Sequence, residues 1–201
     1  MIPNQFPGKF IPIDGPNGSG KSSIIESLKC YLESKGENVY VTKEPTETDL
    51  GDFIRNYSEA NSGIEIACLV AADRYAHLKN EIIPQLQKGK TVISDRYIMS
   101  SLILQRMDNV DTKFIFDINS EIIAPDLQIA LTADESIIKK RLAEREKLTR
   151  FENNNQTAIE IALLEQAIPL IKEHKISVLC VKNNDNLEKT VIEIAKSILS
   201  L

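Results

Sequence analysis

The fold is decided by the stretch Lys9-Phe10-Ile11-Pro12-Ile13-Asp14, followed directly by Gly15-Pro16-Asn17-Gly18-Ser19-Gly20-Lys21-Ser22. The second half matches the pattern G-x-x-x-x-G-K-[ST], between an apolar strand and a helix-period segment at residues 22–35. Its glycines let successive backbone N–H groups turn inward around a phosphate, and the helix N-terminus adds partial positive charge. In such a loop Lys21 reaches the β- and γ-phosphates, and the Ser22 hydroxyl binds Mg²⁺. The stretch therefore predicts a nucleoside triphosphate site.

A chance occurrence is the alternative interpretation of this loop. A glycine-rich turn that happens to end in Lys-Ser would carry no ligand. The full pattern arises by accident in under about 1% of chains of this length, before its strand and helix context is counted. We therefore favour the phosphate-binding interpretation.

Outward from the loop, short apolar runs alternate with longer helix-period segments, which is typical of βα units around a parallel sheet. Five strands are predicted, at residues 9–14, 39–43, 91–94, 126–131 and 177–181. Helices are predicted at residues 22–35, 51–59, 64–88 with a kink or new start at Pro84, 100–107, 111–123, 134–146, 158–174 and 187–199. No linker, repeat or low-complexity block is visible, so we expect residues 1–201 to form one α/β domain.

The composition excludes several classes of protein. The 201 residues include 24 Lys+Arg and 29 Asp+Glu, a net charge of −5, with 42% hydrophobic residues, which is typical of a globular chain. Net acidity argues against a general binder of nucleic-acid polymers, and an anionic substrate would need a local cluster of positive groups.

The chain carries few signs of an oxidising or membrane environment. Three cysteines, Cys30, Cys68 and Cys180, lie far apart without a CxxC pair, which argues against a disulfide framework or zinc site. No run approaches the roughly 18 apolar residues of a membrane span, and the start lacks an apolar signal core. We expect a cytoplasmic protein with no membrane partner.

Charged residues follow two of the predicted elements at the positions where ligands bind in such sheets. Asp95 ends the third strand, where a carboxylate beside a phosphate loop can hold Mg²⁺; a helix-capping role is the alternative. Arg96 follows directly, and Arg74 comes after another apolar stretch. Lone arginines are usually solvated, but these two are expected at the same edge, which favours anion binding.

Basic residues also crowd into one later segment, at Lys139, Lys140, Arg141, Arg145, Lys147 and Arg150. Arg141 and Arg145 share a helix face, and Arg150 lies just beyond, in a stretch that can fold over phosphates. A salt-bridged, solvent-facing helix is the alternative, because glutamates interleave with these residues. Neither an Asn-Lys-x-Asp motif nor a Leu-Ser-Gly-Gly motif is present, which argues against a GTPase and a transporter-type ATPase.

Four blocks in fixed order over residues 10–152 resemble the thymidylate kinase family of nucleoside monophosphate kinases. The blocks are residues 10–23; Thr42-Lys43-Glu44-Pro45 with Leu50-Gly51 and Ile54-Arg55; residues 71–105 with Ala71-Ala72-Asp73-Arg74, Asp95-Arg96-Tyr97, Ser100-Ser101 and Gln105; and Pro125-Asp126-Leu127 with Arg141, Arg145 and Arg150-Phe151-Glu152. Their order is far more specific than any one motif.

The resemblance implies a fold and a reaction. The fold would be a three-layer P-loop NTPase fold, with a five-stranded parallel sheet in the order 2-3-1-4-5, helices on both faces and a lid segment. The reaction would be transfer of the ATP γ-phosphoryl group to deoxythymidine monophosphate (dTMP), giving dTDP, with Mg²⁺. A homodimer is also implied.

The resemblance further implies a role for individual residues. ATP would contact Gly15, Asn17, Gly18, Ser19, Gly20, Lys21, Ser22, Ser23 and Arg141, and Mg²⁺ would bind Ser22 and Asp95. The acceptor would contact Asn17, Lys43, Arg55, Val70, Arg74, Arg96, Ser101 and Leu104, with its phosphate at Lys43, Arg55 and Arg96 and its base near Arg74. Catalytic roles are implied for Lys21, Asp95, Arg96, Arg145 and Arg150, and Arg141, Arg145 and Arg150 would form a mobile lid. Because Gly18 stands where one branch has an arginine, the chain resembles the branch with a lid arginine.

Departures from the family pattern concentrate on the acceptor side. Asn17 occupies a loop position that is usually acidic, and Lys43 stands in place of an arginine. Val70 replaces a phenylalanine that stacks on thymine, a contact worth roughly 1–3 kcal/mol per base, and Leu104 replaces a tyrosine beside the sugar. Two alternatives therefore stay open: a related kinase for a different or modified nucleoside monophosphate, and a catalytically decayed ATP-binding module.

Overall fold

An all-parallel sheet of five strands lies at the centre of the computed structural model, which describes residues 1–146, 148–153, 156–184 and 186–201. The strands are β1 (Phe10–Asp14), β2 (Val39–Lys43), β3 (Thr91–Asp95), β4 (Gln128–Thr132) and β5 (Val178–Lys182). Their order, β2-β3-β1-β4-β5, confirms the predicted fold class. Lys147 of the basic segment lies outside the described residues.

Helices connect the strands and cover the sheet. They are α1 (Lys21–Ser34), α2 (Asp49–Tyr57), α3 (Ile64–His77), α4 (Ile83–Gln87), α5 (Ile98–Met107), α6 (Thr112–Ile118), α7 (Glu135–Ala143), α8 (Arg150–Asn153), α9 (Thr157–Glu173) and α10 (Leu187–Leu199). A π-helical turn, Leu78–Ile82, separates α3 from α4, and Pro84 lies in the first turn of α4, so a new helix starts there. None of the described helices is long and apolar enough to cross a membrane.

The helices predicted at residues 111–123 and 134–146 both end earlier than expected, and α8 was not predicted. The helix predicted to reach residue 123 stops at Ile118, because the next residue, Asn119, turns its side chain inward. Its Nδ2 donates to Ile115 O at 2.8 Å, and its Oδ1 accepts from Arg74 at 2.7 Å. The helix predicted to reach residue 146 ends at Ala143.

Alternating strand residues build an apolar core on each face of the sheet. Side chains along a strand point to opposite faces, and strands covered on both faces are apolar throughout. One core contains Phe10, Val92 and Ala130 together with residues of α3, α5 and α9. The other contains Ile11, Ile93 and Ile129 together with residues of α1 and α10. These two layers fix the sheet between helices on both sides.

The strand order brings the carboxyl ends of β1, β2 and β3 to one edge. Asp95 at the end of β3 lies in register with Ile13 of β1 on one side and with Lys43 of β2 on the other. The loop after β1 therefore begins beside Asp95. Ligands of open parallel sheets bind at this carboxyl edge.

Candidate active site

The loop between β1 and α1 can be formed only with glycine at two of its positions. A Cβ on Gly15 would lie 1.9 Å from Leu131 O, so no side chain fits there. Gly20 has a left-handed backbone, with φ +92°, and a Cβ on it would lie 2.4 Å from Asn183 Nδ2. The side-chain amide of Asn183 also donates to Ser19 O at 2.9 Å. The loop is thus held against β4 and against Asn183, which follows β5.

Lys21, the first residue of α1, lies folded onto this loop. Its Nζ donates to Gly15 O at 2.9 Å and to Pro16 O at 3.0 Å. Burial, and then the nearby Arg96 cation, lower the pKa of Lys21 to about 7. A phosphate in the loop would supply the negative charge that this ammonium group lacks.

Ser22 and Asp95 meet beside the loop. Ser22 Oγ lies 3.5 Å from Asp95 Oδ2, and Asp95 Oδ1 is buried without a hydrogen-bond partner among the residues that the structure describes. Mg²⁺ prefers oxygen ligands and is usually held by one or two protein groups together with phosphates and water. The pair fits that pattern. The described part of the chain contains no group of three or more His, Cys, Asp or Glu residues suited to a metal held by protein alone.

Arg96 has an unusual backbone for a long side chain. Its φ is +77°, a left-handed conformation that costs about 1–3 kcal/mol and persists only where the surroundings enforce it. Its N–H donates to Ile13 O at 3.1 Å. Its guanidinium donates to Asn17 Oδ1 at 2.7 Å and to Ser100 Oγ at 3.1 Å. The strained turn directs the guanidinium to the loop.

Asp14 also belongs to this region, although no role was predicted for it from the sequence. Its Oδ1 accepts from the N–H groups of Tyr97 at 3.0 Å and Ser100 at 2.9 Å, so it caps α5 from the neighbouring strand. Burial raises the pKa of Asp14. The sequence feature that could have indicated Asp14 is a carboxylate in the last position of an apolar strand, directly before the loop. Its effect is to hold the start of α5 beside Arg96.

A cavity of about 240 Å³ lies next to Arg96. Among the residues that line it are seven of those predicted to contact the acceptor: Asn17, Arg55, Val70, Arg74, Arg96, Ser101 and Leu104. The eighth, Lys43, is absent from this lining; it is half-exposed, pairs with Glu47 at 2.6 Å and lines a neighbouring cavity with Ser22 and Asp95. The lining residues without an assigned role include Gln105, Thr149 and Phe151, of which the first and last stand within the matched blocks.

Arg74 lies at the buried side of this cavity and is 1% exposed. It pairs with Glu44 at 2.9 Å, and it donates to Asn119, Ser101 and the Tyr97 carbonyl at 2.7–3.2 Å. Its guanidinium therefore holds α3, α5 and the segment after α6 together. Its predicted position near a base stays a prediction.

The three arginines of the predicted lid have different partners. Arg141 donates to the loop carbonyl of Ser19 at 3.2 Å and to Asn184 O at 2.9 Å. Arg145 pairs with Glu152, and Arg150 pairs with Asp108. Of these three side chains, Arg141 contacts the loop directly, while the other two are bound by carboxylates.

Three neighbouring cavities lie along the loop and share lining residues. One of about 510 Å³ lies at Arg141, Asn183 and Asn184; one of about 230 Å³ lies at Lys21, Ser22 and Asp95. They share Gly18, Gly20, Ser23 and Arg145. The second shares Asn17 and Arg96 with the cavity of about 240 Å³. Two ligands could therefore approach each other from opposite sides, with Lys21, Asp95 and Arg96 between them.

A glycine-rich loop of this geometry, at the carboxyl edge of a 2-3-1-4-5 sheet, defines the P-loop class of nucleotide-binding proteins. Comparisons narrow the class. The family model described as thymidylate kinase matches residues 13–194. The chain belongs to the thymidylate kinase family.

Individual relatives agree with this assignment. The chain is 40% identical over 156 residues to a thymidylate kinase of Caldicellulosiruptor saccharolyticus, covering 74% of this chain and 76% of that protein. It is 38% identical over 149 residues to a probable thymidylate kinase of Caldivirga maquilingensis, covering 72% and 73%. The crystal structure of thymidylate kinase from Ehrlichia chaffeensis has the same fold, with a TM-score of 0.71 at 22% identity over 96% of this chain and 99% of that one.

Proposed function

We propose that the protein transfers the γ-phosphoryl group of ATP to dTMP, giving dTDP and ADP, with Mg²⁺ bound at Ser22 and Asp95. The observation that carries the proposal is the set of three neighbouring cavities along the loop, with Lys21, Asp95 and Arg96 lining the middle one. Phosphoryl transfer needs reactants in line and compensation of negative charge, and it needs no covalent nucleophile from the protein.

On the donor side, the loop N–H groups and Lys21 hold the phosphates of ATP. Lys21 exchanges its two carbonyl partners for phosphate oxygens and faces the transferring group. Arg141, which already touches the loop, lies where the rest of the donor enters. Ser22 and Asp95 would hold Mg²⁺, which would supply positive charge to compensate that of the phosphates. These contacts neutralise charge that grows in the transition state.

On the acceptor side, Arg96 binds the phosphate of dTMP. Its guanidinium is held at two points, and its strained backbone directs it to the loop. The Arg96 side chain therefore loses little conformational entropy when the phosphate binds. Arg55 lines the same cavity as Arg96, and Lys43 lines the neighbouring cavity with Ser22 and Asp95. Val70 and Leu104 face the nucleoside in the cavity of about 240 Å³, which we call the acceptor cavity.

Arg145 and Arg150 complete the site by closing over the transferring phosphoryl group. Each must exchange a carboxylate, Glu152 or Asp108, for phosphate oxygens. Closure thus replaces protein ion pairs by contacts made only when both substrates are bound. Such contacts accelerate the reaction rather than tighten binding of one nucleotide.

We also propose, by the resemblance to the family, that the protein forms a homodimer and acts in the cytoplasm. Size-exclusion chromatography with light scattering tests the first point. A mass of about two chains is expected, and the mass of a single chain would contradict it.

A second candidate function is phosphorylation of another nucleoside monophosphate. The observation that favours it is Val70, which offers no aromatic ring to a pyrimidine in the acceptor cavity. A coupled assay of ADP release with ATP·Mg²⁺ and a panel of nucleoside monophosphates tests both candidates. Highest kcat/KM for dTMP supports the proposal, and a different preferred acceptor contradicts it. Absence of turnover with every acceptor would indicate an ATP-binding module instead.

A further inference from the structure

A buried carboxylate touches the phosphate loop from a distant part of the chain. Glu160 stands in the first turn of α9 and is 2% exposed. Its Oε2 accepts from the main-chain N–H of Asn17 at 2.8 Å, and the Asn17 side-chain Nδ2 lies 3.3–3.4 Å from both of its oxygens. Burial raises the pKa of Glu160, while the Asn17 N–H and the Arg96 cation act in the opposite direction. No step of the reaction described above uses this group.

Asn17 connects Glu160 to Arg96. Its Nδ2 faces the carboxylate, and its Oδ1 accepts from Arg96 Nη2 at 2.7 Å. A side-chain amide can donate to an anion and accept from a cation at once, whereas a carboxylate can only accept. The charges on both sides therefore leave the amide one favourable orientation, and in that orientation it holds the guanidinium.

We infer that Glu160 is a positioning residue, which orients Asn17 and, through Asn17, places the Arg96 guanidinium for the phosphate of the acceptor. The inference rests on the proposed function, because it assigns the acceptor phosphate to Arg96. The contact also favours an amide at position 17, because a carboxylate there would face Glu160 and be repelled by it.

Two physical accounts of Glu160 predict opposite changes in dTMP affinity when its carboxylate is removed. If Glu160 acted only through its charge, its removal would reduce repulsion of anionic nucleotides and tighten their binding. If it positions Arg96, its removal weakens binding of the acceptor. Glu160→Gln separates the two, because Gln keeps the size and an acceptor oxygen but cannot accept at both positions.

The test is isothermal titration of dTMP and of ATP, each alone, into the wild type and three variants. Glu160→Gln should weaken dTMP binding at least about tenfold while ATP affinity stays within about threefold of the wild type, and Asn17→Asp should also weaken dTMP binding at least about tenfold. The double variant Asn17→Asp/Glu160→Gln keeps the net charge and reverses the donor–acceptor pattern, since the new carboxylate at position 17 can accept from Arg96 while the new amide at position 160 donates to that carboxylate. It should recover dTMP affinity to within about threefold of the wild type.

Controls distinguish a loss of positioning from unfolding, and failure of this inference from failure of the proposed function. Glu165→Gln changes an exposed glutamate of the same helix and should alter neither affinity. Thermal unfolding checks each variant, and the double variant gives an independent result if a single variant unfolds. Unchanged or tighter dTMP binding in Glu160→Gln would overturn the inference. A double variant whose dTMP affinity falls by both single-variant losses together would also overturn it. Wild-type protein that binds no nucleoside monophosphate would contradict the proposed function as well.

Discussion

The guanidinium of Arg150 meets the carboxylate of Asp108 at two points. Nη1 lies 2.8 Å from Oδ1, and Nη2 lies 2.5 Å from Oδ2. The Asp108 side chain is 6% exposed, and Arg150 also lies over the ring of Phe151, at 4.0 Å from its centroid. Because Phe151 lines the cavity of about 240 Å³, the ion pair fixes Arg150 beside an aromatic wall of that cavity.

Substitutions of Arg150 and of Asp108 should have unequal effects on kcat. If Arg150 leaves Asp108 to contact the transferring group, Arg150→Ala should lower kcat at least about tenfold while ATP affinity in the binary complex changes little. Asp108→Asn, which only weakens the pair, should leave kcat within about threefold or raise it. Steady-state kinetics and ATP titration measure both. Equal losses of kcat in the two variants would instead indicate a fixed structural ion pair.

Lys21→Ala should lower kcat by at least about a hundredfold, because it removes the cation that faces the transferring phosphoryl group. The coupled assay of ADP release measures it. The exposed Lys196 on α10 provides a matched control, and Lys196→Ala should retain wild-type turnover. A folded Lys21→Ala protein with normal activity would show that the donor site lies elsewhere.

ATP affinity should fall as the pH rises above about 7. With a pKa of about 7, Lys21 is mostly neutral at higher pH in the free protein. A bound triphosphate favours the charged form, so binding above that pH takes up a proton and weakens by up to about tenfold per pH unit. Calorimetry near pH 8.5 in two buffers of different ionisation enthalpy measures the uptake, which Lys21→Met should abolish. Constant affinity from about pH 7 to about pH 9 would disagree with this assignment.

Val70→Phe should lower the KM for dTMP by up to about tenfold, the roughly 1.4 kcal/mol of one recovered stacking contact. Val70 lines the acceptor cavity on α3, where an aromatic ring would reach the base. The KM for ATP, measured in the same experiments, is the internal control. A higher KM for the best acceptor would mean that the cavity suits a bulkier or different base, and the thymidine assignment would be lost while the kinase assignment stood.

The fold could be predicted because its determinants are local in sequence. The loop pattern, the apolar runs of the strands and the helix periods each occupy a short segment, and the family order of the blocks supplied the 2-3-1-4-5 topology. The structure confirms this architecture. The interruption at Asn119 escaped prediction because it depends on a contact with Arg74, which lies 45 positions earlier.

The site was only partly predictable, since its residue types follow from motifs but their partners do not. Asn17 meets Glu160 across 143 positions, and Arg150 meets Asp108 across 42. Arg74 looked like a free anion-binding group, yet it is bound by Glu44 in a buried ion pair. Such pairings arise from the packing of α3, α5 and α9 around the sheet. The predicted roles of the individual residues stay predictions until they are measured.

Transfer of label from [γ-³²P]ATP to dTMP tests the central claim most directly. Wild-type protein with ATP, Mg²⁺ and dTMP should give labelled dTDP together with an equal amount of unlabelled ADP. Omission of dTMP should reduce ADP release to background. With Lys21→Ala, the rate should fall at least about a hundredfold. Labelled inorganic phosphate in place of dTDP, or ADP release that does not depend on dTMP, would contradict direct transfer between the two nucleotides.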